Sequence, residues 1–191
     1  MEPNDRQSAP SAEEVLESYE RYVRDLDDFC AKLREKYWEA LNCRPGCVTC
    51  CSRELTVFPI EAARIRRHIS GFGAVRREQL RARLAESNAS VEAAPCPLLY
   101  RGRCLVYPAR PLLCRTEGYV LAHRDPDTHG WRVTACPKNF EKLDLASEIP
   151  APDLINLESL NQSLAVLNHA YVKASGWRGE ERVRLSEVGS P

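Results

Sequence analysis

Eight of the nine cysteines in this chain fall into two dense groups, and the first is Cys43-Arg-Pro-Gly-Cys47-Val-Thr-Cys50-Cys51. Four thiols within nine residues are hard to explain by packing, because a buried cysteine behaves as a small hydrophobe that can sit anywhere in a core. Such close spacing brings several sulfurs to one point on a tight loop. That is what a soft metal ion or an iron–sulfur cluster requires. The vicinal pair Cys50-Cys51 adds a constraint. Neighbouring side chains diverge, so a shared or multinuclear centre, or two neighbouring sites, is easier to build than one mononuclear ion.

The second group comprises Cys96, Cys104, Cys114 and Cys136. The expected ligand set is therefore Cys43, Cys47, Cys50, Cys51, Cys96, Cys104, Cys114 and Cys136. Four thiolates complete a zinc tetrahedron or an iron–sulfur cluster. Eight can supply two such sites, or one site and a redox-active pair. No histidine lies close to the cysteines in sequence except His123 and His129, near Cys136, so a sulfur-rich sphere is favoured. Cys30 sits beside a helical apolar stripe and reads as a core residue.

Composition narrows the setting. Hydrophobic residues at 43% and charged residues at 28% describe one ordinary globular domain. A net charge of zero gives no global bias toward nucleic acid or an acidic membrane. The start of the chain lacks a basic segment followed by an apolar run, and no apolar stretch approaches the roughly 20 residues of a membrane span. A reducing cytoplasm is the expected compartment. There, grouped cysteines serve as ligands or redox groups, and an odd count fits a closed disulfide framework badly.

The expected fold is mainly α, with a small irregular cysteine-rich, metal-stabilised centre and a short β-hairpin. Residues 1–10 read as a disordered leader, 11–176 as a single metal-binding domain and 177–191 as a charged tail. Flanking helices are expected over 11–42 and 153–175, around a cysteine-rich centre at 43–136. Ser11 with Glu14 forms a capping box, and apolar residues from Val15 to Leu41 recur at three- and four-residue steps. Pro59 suits the start of a helix to about Ile69, and another is expected from Ala74 to about Glu86, followed by a linker over 87–95. Tyr119–Ala122 and Trp131–Thr134 suit a hairpin, with Asp125 and Asp127 as turn residues. The end helices should pack together, with the centre held by metal instead of by a large core.

The pattern Cys43-x₃-Cys47-x₂-Cys50-Cys51, then Cys96-Pro-Leu-Leu with Cys104, then Tyr107-x₂-Arg110-Pro111-x₂-Cys114-Arg115, resembles the CxxCxxCC cysteine-cluster family of zinc- or iron-chelating domains (the YkgJ type). The block from Tyr107 to Arg115 is the most specific part, and the resemblance covers roughly residues 43–136. It implies a cysteine-ligated metal or cluster and supplies no settled reaction. A thiolate-bound centre carries negative charge, which Arg110 and Arg115 are placed to offset from beside the ligands, with Tyr107 covering the site or donating to it.

Several other readings are weaker. The spacing Cys43-x₃-Cys47-x₂-Cys50 is also that of radical S-adenosylmethionine enzymes, but Thr49 stands where an aromatic is expected and a long helix precedes the loop. The arginines at 64, 66, 67, 76, 77, 81 and 83 suit a nucleic-acid face less well than solvated helix surfaces interspersed with Glu61, Glu78 and Glu86. The preferred reading is a cytoplasmic cysteine-ligated metalloprotein, iron–sulfur or iron, in electron transfer or an oxidoreductase system with a redox or protein partner. The alternative is a zinc-binding structural or interaction module without catalysis. A metal chelator or carrier, or a methyl-transfer-related enzyme, is a minor alternative. No catalytic residue is legible.

Overall fold

The computed structural model describes residues 9–44, 46–52, 55–89 and 95–189. Residues 1–8 of the expected leader, Pro45 and residues 90–94 of the expected linker lie outside these. The fold is mainly helical, as expected, with small sheets and irregular cysteine segments between the helices.

The first helix, α1, spans Ala12–Lys36. Its capping box forms as the sequence dictates: the Glu14 N–H donates to Ser11 Oγ at 3.3 Å and the Ser11 N–H to Glu14 Oε2 at 2.7 Å. Val15, Leu16, Tyr19, Val23, Leu26, Cys30 and Leu33 are buried on one face. The helix ends six residues before the expected end at 42. Tyr37 leaves the helical path, meets Phe140 edge-on at 5.6 Å and donates its hydroxyl to Asp153. The apolar repeat continues to Leu41 because these residues face the same core, while tertiary contacts reshape the backbone that carries them.

After a two-residue strand, β1 (Thr56–Val57), helix α2 runs from Pro59 to Ser70 and α3 from Ala74 to Ala89. Strands β2 (Leu99–Tyr100) and β3 (Arg103–Cys104) form a hairpin that the sequence reading missed. Its two-residue turn has φ +48° at Arg101 and +71° at Gly102, the left-handed pair that suits the strand twist. A single helical turn, α4 (Leu112–Thr116), carries Cys114.

The expected hairpin is present as β4 (Leu121–Arg124) and β5 (Trp131–Thr134). Asp125 is a turn residue, accepting from the N–H groups of Asp127 at 3.0 Å and Thr128 at 2.9 Å. A short helix, α5 (Leu145–Glu148), precedes β6 (Ile155–Asn156), which joins β4 in parallel and extends the hairpin to three strands. Helix α6 (Leu157–Ser175) therefore starts after the expected 153, with the Asn156 side chain as its N-cap and Gly176 at φ +67° closing it.

The end helices α1 and α6 pack on each other and on α2, as expected. The first core lies between them and includes Tyr19, Val23, Ile60, Leu112 and Leu164. The expectation that metal replaces a core in the centre is corrected by a second cluster. It holds Val57, Ala62, Ile65, Phe72, Leu80, Leu98, Leu105, Val106, Ala109, Val183, Leu185 and Val188. Full burial of an Ile65- or Leu98-sized side chain contributes about 1.5–3 kcal/mol, so this half has its own apolar support.

The expected charged tail is corrected too. Val183 and Arg184 form β7, antiparallel to β1, and Val183, Leu185 and Val188 are buried. The charges alternate with apolar residues that face inward, so composition alone conceals a strand. Glu61, expected on a solvated face, is buried. Its carboxylate accepts from the Phe58 N–H and the Leu112 N–H, each at 3.0 Å, and is hydrogen-bonded to Tyr19. This one side chain fastens the starts of α2 and α4 to α1. Burial raises its pKa, against the lowering effect of those donors.

Candidate metal centre

The first cysteine loop hangs from a polar clamp. Asn139 is buried, its Oδ1 accepts from the Asn42 N–H at 2.8 Å, and its Nδ2 donates to Gly118 O at 2.6 Å and to Cys43 Sγ at 3.3 Å. The Asn139 N–H also donates to Cys136 O at 2.8 Å. One asparagine thus ties the loops of Cys43 and Cys136 together. Gly118 has φ +99°, and a Cβ there would lie 2.9 Å from Cys43 Sγ. Glycine is required on both counts. Neither residue is marked in the sequence beyond its nearness to a cysteine, and both were missed.

Beyond Cys43 the loop is held locally. The Cys47 N–H donates to Arg44 O and the Cys51 N–H to Val48 O, both at 2.9 Å, and residues Thr49–Cys51 make one 3₁₀ turn. Cys47 and Cys50 are exposed, and Cys43 and Cys51 partly buried. The Cys51 carbonyl accepts from the Cys96 N–H at 2.9 Å, which joins the two cysteine groups.

The second group lies on prepared ground. The β2–β3 hairpin brings Cys104 opposite Leu99, and the Leu99 N–H donates to Cys96 O at 3.0 Å. Cys96 and Cys104 pack against the second core. Arginines satisfy carbonyls that no regular structure reaches. Arg83 donates to Pro95 O and Leu99 O at 2.9 Å, Arg64 to Pro108 O at 2.9 Å, and Arg76 to Leu105 O. Buried Arg115 donates to Arg110 O at 2.9 Å and Pro108 O at 2.6 Å, and pairs with Asp27 of α1.

The residues expected to offset thiolate charge therefore divide. Arg115 spends its charge on Asp27 and its remaining donors on carbonyls. The Arg110 charge acts on Cys104, together with that of Arg76. Arg110 lies 4.1 Å over the Tyr107 ring, which is exposed. His123 Nδ1 lies 3.1 Å from Arg124 O, and His129 is exposed. Cys30 is a buried core residue whose thiol burial pushes up to about 11.

All nine cysteines stand as thiols. Electrostatics sorts eight of them into neighbourhoods. Burial raises the Cys43 thiol, the Asn139 hydrogen bond opposes it, and Cys47, Cys136 and Cys50 raise it further. A hydrogen bond from Cys50 lowers the Cys51 thiol, against burial and the neighbouring Cys96, Cys104 and Cys114. The same bond, followed by burial, raises Cys50. Burial pushes Cys114 up to about 12, aided by Cys96, Cys104 and Cys50. Among the described residues no three His, Cys, Asp or Glu side chains are already gathered to the spacing that holds a metal ion. The donor chemistry nevertheless fits a soft metal: the candidate ligands are thiols alone, with backbone and arginine donors beside them.

No curated protein and no solved structure matches the chain. The sequence model of one family does match it, over residues 42–137, the stretch that runs from the Asn42 clamp to the residue after Cys136. The chain belongs to that family, CxxCxxCC, described as a putative zinc- or iron-chelating domain.

Proposed function

We propose that the chain binds metal through Cys43, Cys47, Cys50, Cys51, Cys96, Cys104, Cys114 and Cys136, holds an iron–sulfur cluster or iron, and serves electron transfer within an oxidoreductase system. The observation that supports this is the meeting of two cysteine segments, distant in sequence, at the hydrogen-bonded pair Cys50–Cys51 and the Cys96–Cys51 backbone bond. More than four thiols around a vicinal pair favour a multinuclear centre over one tetrahedral ion. A bound cluster would supply one-electron chemistry.

The chain's own residues would set its properties. Asn139 donates to Cys43 Sγ, which lowers the charge density on that sulfur, and Arg110 and Arg76 do the same for Cys104 through space. The exposed Cys47 and Cys50 put one edge of the thiol group at the surface, where a redox partner can approach.

A zinc-binding structural module is the second reading, favoured by the way Cys96 and Cys104 pack on the second core. Purification without oxygen, a visible spectrum and analysis for iron, sulfide and zinc separate the two. Brown protein with iron and sulfide is expected. Colourless protein with stoichiometric zinc and no sulfide overturns the iron–sulfur reading.

A further inference from the structure

We infer that the thiols form two four-cysteine metal sites of unequal lability: an inner site of Cys51, Cys96, Cys104 and Cys114 that retains its metal, and an outer site of Cys43, Cys47, Cys50 and Cys136 that exchanges it. The inference rests on the metal-binding reading and adds which sulfurs act together.

Geometry divides the set. Cys51 is joined to Cys96 by the 2.9 Å backbone bond, and the β2–β3 hairpin carries the chain from Cys96 to Cys104. Arg83 and Arg76 brace the Cys96 and Leu105 ends of that stretch through its carbonyls. Cys114 lies on α4, whose first turn is fastened by Glu61. Cys43 and Cys136 are joined instead through Asn139. Cys47 lies one turn beyond Cys43. The Cys50 and Cys51 thiols are hydrogen-bonded to each other, so the two sets meet at this pair. Cys50 borders both, and its exposure assigns it outward. Burial separates two of the outer thiols: Cys47 and Cys50 are exposed, whereas Cys43, Cys136 and every inner cysteine are partly buried. A competing ligand reaches the exposed sulfurs first, whereas Cys96 and Cys104 of the inner set pack against the second core.

The test uses the reduced full chain loaded with zinc alone and challenged with a chromogenic chelator. About two zinc equivalents are expected. They should leave in two phases separated by about tenfold or more in rate, the scale on which surroundings alter metal affinity. Cys43→Ser or Cys136→Ser should remove the fast phase only, and Cys104→Ser or Cys114→Ser the slow one. Variants that misfold are bypassed by alkylating the loaded wild-type protein and mapping the modified thiols by mass spectrometry. Cys43, Cys47, Cys50 and Cys136 should react before the other four. Bound metal that leaves in one phase, with all eight thiols protected alike, overturns the division and leaves metal binding intact. Absence of bound zinc or iron overturns the metal reading itself, and the division with it.

Discussion

Residues 95–115 and residues 43–52 both carry clustered cysteines, and they are built on opposite plans. The first of these segments has only short regular pieces, the β2–β3 hairpin and the start of α4, and its carbonyls at Pro95, Leu99, Leu105, Pro108 and Arg110 all receive arginine donors from α2, α3 and α4. The other relies on local turns, the Asn139 clamp at one end and a bond from Cys96 at the other. Backbone between short elements can thus be tied down where guanidinium groups replace the missing backbone partners. Where they do not, a bound metal would have the most order to add.

Removing metal should expose this contrast most. In the apoprotein, cleavage by a non-specific protease is expected first within residues 43–52, with residues 95–115 protected. Loading should protect both and stabilise the chain by several kcal/mol. Equal cleavage of both segments would break the comparison. Arg115→Ala comes next, since it strips a buried cation from Asp27 and from two carbonyls. A loss of about 3 kcal/mol is expected by urea unfolding, at the low end for a buried pair because Asp27 is partly solvated. Arg115→Lys should recover only part of it, lacking the fork.

Asn139→Ala should cost about 1–3 kcal/mol, from the bonds lost at Asn42 and Gly118. It should also speed metal release from the loaded protein, whereas Arg115→Ala should act mainly on stability. Glu61→Gln has a smaller expected cost of about 1–2 kcal/mol, because one of the two backbone donors would face an amide N–H₂. Its sign with pH is specific. A carboxyl raised on folding favours the folded state at acid pH, and that contribution is lost as pH rises through the raised value. The deficit of Glu61→Gln should therefore shrink from about pH 4 toward neutrality. Cys30→Ala should cost about 1 kcal/mol or less and leave metal content unchanged.

The sequence was informative where a local signal sufficed. Ser11 with Glu14, Pro59 and the Asp125 turn each occupy the predicted structural role. The cysteine pattern identified the family. What escaped depended on distant partners. Leu41 carries the apolar repeat past the end of α1, because burial does not require helical backbone. Arg64, Arg76, Arg77 and Arg83 looked like a solvated face, since composition does not reveal which remote carbonyls lack donors. Arg77, for example, donates to Phe72 O at 2.9 Å. Asn139 and Gly118 gain meaning only when folding brings them to Cys43. Glu61 is buried because three elements begin or cross at its carboxylate.

The pairing of β7 with β1 has a consequence for the order of assembly. Val183, Leu185 and Val188 complete the core beneath Cys96 and Cys104, and synthesis reaches them only after every cysteine has been made. While the chain is still growing, the thiols are already outside the ribosome and their apolar floor is unfinished. Metal arriving at that stage would meet an open chain, and the pairing of β7 with β1 would then close the core beneath Cys96 and Cys104.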